Sequence, residues 1–497
     1  MSVYRKIGFF LGPAVFGILL FLPQPQGMSS EAFGVAAVAV WMAIWWITEA
    51  IPIPATALLP IALFPTLNIM SAGDACHPYA DHIIFLFLGG FLIAIAMEKW
   101  NLHRRLALRT IWLIGIGPSR IILGFMLATA FLSMWISNTA TAMMMIPIAM
   151  AIIRQTTDYL KSTNSEIDTE PTRFRFATAL MLGIAYSASI GGVVTIIGTP
   201  PNTILVSFVE RLYHQQISFA AWMAIGAPMA VIMLFITWIY LVKFAMVPRV
   251  KKLVGGEETV RSEIQQLGKM NRAQLSVMLV FIVVAVAWIS RGFIISEGQL
   301  MHDSTIAIMG ALLLFIIPAD FKKREFLLDW DSARRVPWDV ILLFGGGLSL
   351  AKGFSESCLA SWIGQQIYGL EGTSLMMLVI AVISLTIFLT EITSNTATSA
   401  MLLPIVGSVA VGMAIHPFGL MIGAAMAASY AFMLPVATPP NAIIFGSGHV
   451  TIPQMARVGF VLNIIGIILI TLTVIYLVPL VWDIDLYHLP EWIPAAR

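Results

Sequence analysis

Charge is what this sequence has least of: Asp, Glu, Lys and Arg make up 11% of its 497 residues, against 59% hydrophobic. A soluble globule of this length carries about a quarter of its residues charged, so that class is excluded. Cysteine is almost missing as well. Cys76 and Cys358 are too few and too far apart for a disulfide framework, and packing is their simplest role. The eight histidines show no metal-ligand spacing, and there is no HExxH, no GxSxG and no pair of intramembrane aspartates, all of which argues against an enzyme. No basic-aromatic patch occurs, so the net charge of +2 is not the footprint of a nucleic-acid binder.

What the chain does have is length in apolar runs. Residues 7–22, 31–47, 83–97, 219–242, 274–290, 304–318 and 456–481 are examples of stretches suited to crossing a hydrocarbon layer of about 30 Å, and mean hydropathy is +0.89. The whole reads as an all-α polytopic membrane protein with about eleven transmembrane helices. The first run follows Arg5 and Lys6 but has no small-x-small cleavage site after it, so it is read as the first span rather than a signal peptide. Short cytoplasmic loops concentrate Lys and Arg. With the N-terminus placed inside, only Arg211, Arg291, Lys352 and Arg497 fall on the outer side, so the N-terminus is expected in the cytoplasm and the C-terminus outside. The expected location is the plasma (inner) membrane, whether of a bacterium or of another cell.

The chain repeats itself. "SNTATAMMMIPI" from Ser137 returns as "SNTATSAMLLPI" from Ser394, with eight of twelve positions identical and an offset of 257. "IFLFLGG" from Ile84 returns as "ILLFGGG" from Ile341 at the same offset, and "GTPPNTI" from Gly198 as "ATPPNAI" from Ala437 at an offset of 239. The offset shrinks because the polar stretch from Arg154 to Arg175 has no counterpart in the second half. The expected divisions are residues 1–29 for the N-terminal segment and first span, 30–247 for the first repeat, 248–272 for a charged cytoplasmic linker, 273–482 for the second repeat and 483–497 for an external tail. The first SNTAT segment is flanked by basic loops and the second by loops poor in Lys and Arg, so the repeats enter the membrane from opposite faces, as in inverted-topology secondary transporters.

Each SNTAT segment sits mid-way along an apolar stretch whose two ends lie on the same side. This predicts re-entrant hairpins over about 119–153 and 373–411, with tips at Ser137, Asn138, Thr139 and at Ser394, Asn395, Thr396. Irregular backbone at that depth is tolerated only when buried in protein or lining a wet cavity. Ser, Thr and Asn oxygens with free carbonyls suit a hard cation, while the N–H groups that open the returning half-helix suit an anion. Pro200 and Pro201, and Pro439 and Pro440, remove backbone donors and interrupt helices beside the tips. Neither tip carries a charged side chain, so a dianion held there needs helix dipoles and co-bound cations to balance it. Ser and Thr in such helices can also simply bond the preceding turn, and Pro can merely kink a helix. Recurrence of both motifs in the same order favours a site. The glycine segments fit close helix packing as well as a site. The charges Glu391, Glu98, Lys99 and Lys352 fit a functional role or ordinary capping and snorkelling equally.

The SNTAT pair, each followed by TPPN, together with "ASYAFMLPVATPPNAII" from Ala428, resembles the divalent anion/sodium symporter family, the sodium-dependent dicarboxylate, citrate and sulfate cotransporters. The resemblance covers nearly the whole chain, with Ile444 where the family signature has Val. It implies eleven spans plus two hairpins, scaffold and transport domains, a homodimer and an elevator-type motion. By motif, it implies substrate contacts at Asn138, Thr139, Thr199, Pro200, Asn395, Thr396, Thr438 and Pro439. It implies sodium sites at Ser137, Asn138 and Gly198, and at Ser394, Asn395 and Ala437. Sodium would be the coupling ion, with no other cofactor. The expected activity is sodium-coupled import of C4-dicarboxylates, dianions such as succinate, malate or fumarate. The alternatives are a sodium-independent dicarboxylate exchanger, a citrate or sulfate symporter and, from another class, an anion channel.

Overall fold

The computed structural model describes residues 3–115, 117–163, 165–250, 256–294, 302–366 and 374–493. Arg497, residue 373 and residues 251–255 of the linker lie outside them. Helices dominate; a short antiparallel pairing of Pro318–Asp320 with Glu325–Phe326 is the β-structure among the described residues.

Seven described helices are long and apolar enough to cross a membrane: Val3–Phe21, Ser30–Thr48, Ala72–Lys99, Phe219–Ala245, Arg272–Arg291, Asn395–Gly412 and Ile452–Trp482. Other apolar stretches are cut into shorter pieces at Pro or Gly, such as Arg175–Gly192 followed by Pro200–Tyr213, and Pro417–Ala427 followed by Pro439–Gly446. The outer helices turn large apolar side chains outward, with Phe10 71% and Phe21 93% exposed on Val3–Phe21. That surface is unfavourable in water and ordinary in lipid. The helix Arg175–Gly192 is the opposite case: every residue from Phe176 to Gly192 is buried, as expected of a helix apolar all round.

The order of elements recurs along the chain. His82–Lys99, Leu102–Ile114, Pro118–Ser133, Asn138–Ser162, Arg175–Gly192, Pro200–Tyr213 and Phe219–Tyr240 are matched by Trp338–Glu356, Leu359–Gln366, Leu375–Thr390, Asn395–Gly412, Pro417–Ala427, Pro439–Gly446 and Ile452–Leu472. Each series ends in a π turn, Leu241–Ala245 in the first and Thr473–Leu477 in the second. The first hairpin joins Pro118–Ser133 to Asn138–Ser162, so its returning arm runs nine residues past the expected end at 153. Pro118 at the start supplies a preset φ where no backbone donor is needed, and Ser137 caps the return by accepting from the Ala140 N–H at 3.2 Å. The second hairpin joins Leu375–Thr390 to Asn395–Gly412.

The glycine segments serve close approach. A Cβ on Gly89 would lie 2.6 Å from the Ala307 backbone, and one on Gly346 would lie 2.3 Å from the Ala57 carbonyl oxygen. Lys99 and Lys352 are ion-paired near segment ends, Lys99 with Asp329 at 2.7 Å and Lys352 with Asp74 at 3.0 Å. Lys99, aided by the Ser332 N–H, holds the Asp329 carboxyl down at about 2. The linker is more than a tether. It carries the helix Gly256–Gln266, where Glu263 pairs with Arg104 and the Leu267 and Gly268 carbonyls accept from the Arg105 guanidinium at 2.8 and 3.0 Å.

Candidate functional site between two hairpin tips

Both hairpin tips and both interrupted helices open onto one cavity of about 810 Å³. Every residue singled out by motif lines it: Ser137, Asn138, Thr139, Gly198, Thr199 and Pro200 from the first half, Ser394, Asn395, Thr396, Ala437, Thr438 and Pro439 from the second. Segments as far apart in sequence as Ser137 and Thr438 therefore share one wall. The lining contains two carboxylates, Glu49 and Asp339, and no Lys, Arg or His.

The two tips are built alike. In the first, the Ser133 hydroxyl contacts Asn138 Oδ1 and lies 2.7 Å from the Ala188 carbonyl oxygen. In the second, the Thr390 hydroxyl lies 2.6 Å from Asn395 Oδ1 and 3.1 Å from the Ala428 carbonyl. A hydroxyl one turn back on the incoming arm thus fixes the amide that opens the returning arm, and ties it to the neighbouring helix. The interrupted helices are held alike too. Asn202 Nδ2 donates to the Gly192, Val193 and Thr195 carbonyls at 3.2, 3.2 and 2.7 Å, and Asn441 Nδ2 donates to the Ala431 and Leu434 carbonyls at 3.0 and 3.1 Å. The chain unwinds there, and the asparagines add to the donors that remain: the Gly198 and Ala437 N–H groups on the Thr195 and Leu434 carbonyls at 3.4 and 3.2 Å, and Trp222 Nε1 on the Val193 carbonyl at 2.9 Å. Thr438 caps the second restart, accepting from the Asn441 N–H at 3.3 Å.

One difference between the halves puts a charge beside the second tip. Glu391, 3% exposed, accepts from the backbone N–H groups of Phe432, Met433 and Leu434 at 2.8, 2.9 and 3.0 Å and from Asn463 Nδ2 at 2.7 Å. A carboxylate that gathers four donors is stable in a buried place where an unpaired one is not. Its counterpart at the offset of 257 is Met134, whose carbonyl accepts from the Thr195 hydroxyl at 2.5 Å.

The first break depends on glycine. A Cβ on Gly198 would stand 2.4 Å from the Gly192 carbonyl oxygen, and one on Gly192 would stand 2.9 Å from Asn138 Oδ1 and 3.2 Å from the Gly198 carbonyl oxygen. A Cβ on Gly192 would also stand 3.2 Å from Asn138 Nδ2, so the break is bordered by both ends of the Asn138 amide and by the Gly192 and Gly198 carbonyl oxygens. The amide and carbonyl oxygens among these groups are of the kind that fits a hard cation rather than a soft one.

Sequence reasoning missed Ser133, Thr390, Asn202 and Asn441 as structural parts of the site. Signals for them existed: Ser133 and Thr390 stand at the 257 offset, and the two asparagines end the TPPN repeats. Glu391 was visible only as a charge within an apolar run.

A cavity shared by two hairpin tips, inside a shell of lipid-length apolar helices, is what a polytopic membrane transport protein requires. Two solved transporters share the architecture. Neisseria gonorrhoeae MtrF, described as one of a class of antimetabolite efflux pumps, matches with a TM-score of 0.55 at 12% identity over 94% of each chain. The Alcanivorax borkumensis YdaH transporter matches with a TM-score of 0.57 at 10% identity, over 83% of this chain and 88% of its own. Sequence narrows the class. The family described as "Sodium:sulfate symporter transmembrane region" matches residues 5–483, and the chain belongs to it. Among its relatives is the sodium-dependent dicarboxylate transporter SdcS of Staphylococcus saprophyticus, 46% identical over 97% of this chain and 93% of that protein. SdcS of Staphylococcus aureus is 47% identical over 98% of this chain and 93% of its own. The family and these relatives are transporters, not enzymes.

Proposed function

We propose that the protein is a secondary active transporter that imports C4-dicarboxylates with sodium ions. The observation that carries this reading is the cavity itself: two SNT tips and two broken helices around a space without one basic side chain. A dianion there needs positive charge from half-helix N-termini and from co-bound cations, so cation binding and anion binding favour each other. The 46–47% identity to sodium-dependent dicarboxylate transporters supports the same pairing of ion and substrate. On this reading Asn138, Thr139, Thr199, Pro200, Asn395, Thr396, Thr438 and Pro439 hold the carboxylates. Ser137, Asn138 and Gly198 form one sodium site, and Ser394, Asn395 and Ala437 the other, with Ser133 and Thr390 setting the asparagine rotamers.

The two element series are inverted repeats of residues 30–247 and 273–482, working as a homodimer in the plasma membrane with the N-terminus cytoplasmic. The hairpins, the broken helices and the helices after them form a transport domain. This domain moves past a scaffold made of the remaining spans, carrying the cavity from one face to the other. The test is radiolabelled succinate uptake into proteoliposomes under an inward sodium or potassium gradient. Uptake only with sodium supports the proposal. Sodium-independent uptake that appears only with dicarboxylate preloaded inside makes the protein an exchanger, and sodium-driven uptake of citrate or sulfate but not succinate overturns the substrate assignment.

A further inference from the structure

His82, Glu210 and His302, none of which lines the cavity, come together with their ligating atoms all within 4.8 Å of one another. We propose that these three side chains bind a divalent transition-metal ion such as zinc, and that its occupancy arrests transport. His82 opens the helix His82–Lys99, Glu210 lies in the last turn of Pro200–Tyr213, and His302 immediately precedes Asp303–Ile316. No spacing in the sequence betrays the group, because each member comes from a different element.

The geometry suits the ion. His82 Nε2 stands 3.3 Å from Glu210 Oε2, and two ligands bound at about 2.0–2.1 Å on a tetrahedral zinc are separated by about 3.3 Å. The His82 and His302 rings lie 5.0 Å apart, edge to face, so a small rotation brings the third ligand in. All three residues are partly exposed and border a cavity of about 30 Å³, roughly the room a fourth, water ligand requires. Asp81 Oδ1, which accepts from the Ile83 N–H at 2.9 Å, lies 3.6 Å from His82 Nδ1, beyond hydrogen-bond length but on the ring nitrogen that does not face Glu210, so it adds negative charge beside the imidazole.

Charge agrees with geometry. Asp81 is paired with Arg211 at 2.6 Å and Asp303 with Arg291 at 3.1 Å, so these four groups cancel. Glu210 then leaves the cluster with one negative charge beside two imidazoles, a set that attracts a dication. Two nitrogens and one carboxylate match zinc and its neighbours; calcium and magnesium prefer oxygen throughout.

The site joins parts that, on the transport reading above, must separate. Pro200–Tyr213 begins at the cavity with Pro200 and ends near Glu210, while His82–Lys99 and Asp303–Ile316 pack on each other through Gly89 and Ala307. A bound metal fastens the cavity-lining helix to that pair.

Zinc chloride is titrated calorimetrically into the purified, detergent-solubilised protein and into His302→Ala and Glu210→Gln, each checked for a monodisperse elution profile. The expected result is one zinc per chain in the wild type and at least tenfold weaker binding in each variant. Equal zinc affinity in the wild type and both variants overturns the site. Zinc should also slow sodium-driven succinate uptake by the wild type, reversibly with a chelator, and leave His302→Ala unaffected. Zinc binding that depends on the three residues but leaves uptake unchanged overturns the arrest. Failure of zinc-free liposomes to take up succinate counts against the transport reading alone, because the titration does not depend on it.

Discussion

Removing the Glu391 carboxylate should disable the second tip without unfolding the protein. Glu391 sits three residues before Ser394 and accepts three backbone N–H groups, of Phe432, Met433 and Leu434, from the stretch where the second helix unwinds. In Glu391→Ala those donors and the Asn463 amide lose their acceptor in a buried place. At about 1–3 kcal/mol per stranded donor, relaxation and water entry bring the sum to roughly 3–5 kcal/mol. Glu391→Gln keeps the volume and one carbonyl oxygen but turns an NH₂ towards a donor, which should cost about 1.5–3 kcal/mol. The penalty falls on the backbone that presents Ala437 and Thr438 to the cavity. If about 2 kcal/mol of it falls on the cation-loaded state, the sodium concentration for half-maximal uptake rises about thirtyfold. Succinate uptake across a sodium series, with thermal unfolding of the same preparations, measures both quantities. Glu391→Ala with a wild-type sodium dependence and an unchanged melting temperature would refute the reasoning.

Four further outcomes are expected. Asn138→Ala and Asn395→Ala should each abolish uptake while the chain still reaches the membrane fraction; wild-type uptake by either removes that asparagine from the site. Gly198→Ala puts a Cβ 2.4 Å from the Gly192 carbonyl oxygen, so uptake should fall more than tenfold, and near-normal uptake would mean that the break yields freely. The Asp329 carboxyl is held at about 2, below its ordinary 3.8, so its ion pair with Lys99 contributes above pH 4 and is lost as pH falls from 4 towards 2. Asp329 is 46% exposed, so Asp329→Asn should cost less than about 1 kcal/mol at pH 7, and its melting temperature should converge on the wild type's below pH 4. Glu166→Ala, in the loop that only the first half possesses, should leave uptake near normal, and a large defect would count against reading that loop as an insertion.

The cavity lining was legible in the sequence because the motifs are repeated. Each of the twelve residues assigned by motif to substrate or sodium lines the same cavity, and a repeat turns two weak signals of polar residues in apolar runs into one strong one. The parts that hold those residues in place were harder to read. Ser133 and Thr390 look like ordinary helix residues until their partners across the tip are known. Hairpin length depended on where polar sequence was taken to end the membrane, and the first returning arm continues to Ser162 through Arg154, a side chain long enough to leave the helix core intact. The linker helix Gly256–Gln266 has a charged sequence that composition assigns to a tether; its order comes from Arg104 and Arg105 on another element, a tertiary effect that no local pattern carries.

Glu391 has Met134, not a second carboxylate, at the 257 offset, so the two ends of the cavity are unequal. Succinate and fumarate read the same from either end, so such a ligand gains nothing by turning round. Malate does not. Its hydroxyl lies nearer one carboxylate, and on the transport reading proposed above a cavity backed by Glu391 behind its second tip and by Thr195 on the Met134 carbonyl behind its first would present it with two distinguishable seats. On that reading, discrimination between the D and L forms of such a substrate would follow from this asymmetry together with that of Glu49 and Asp339 in the lining.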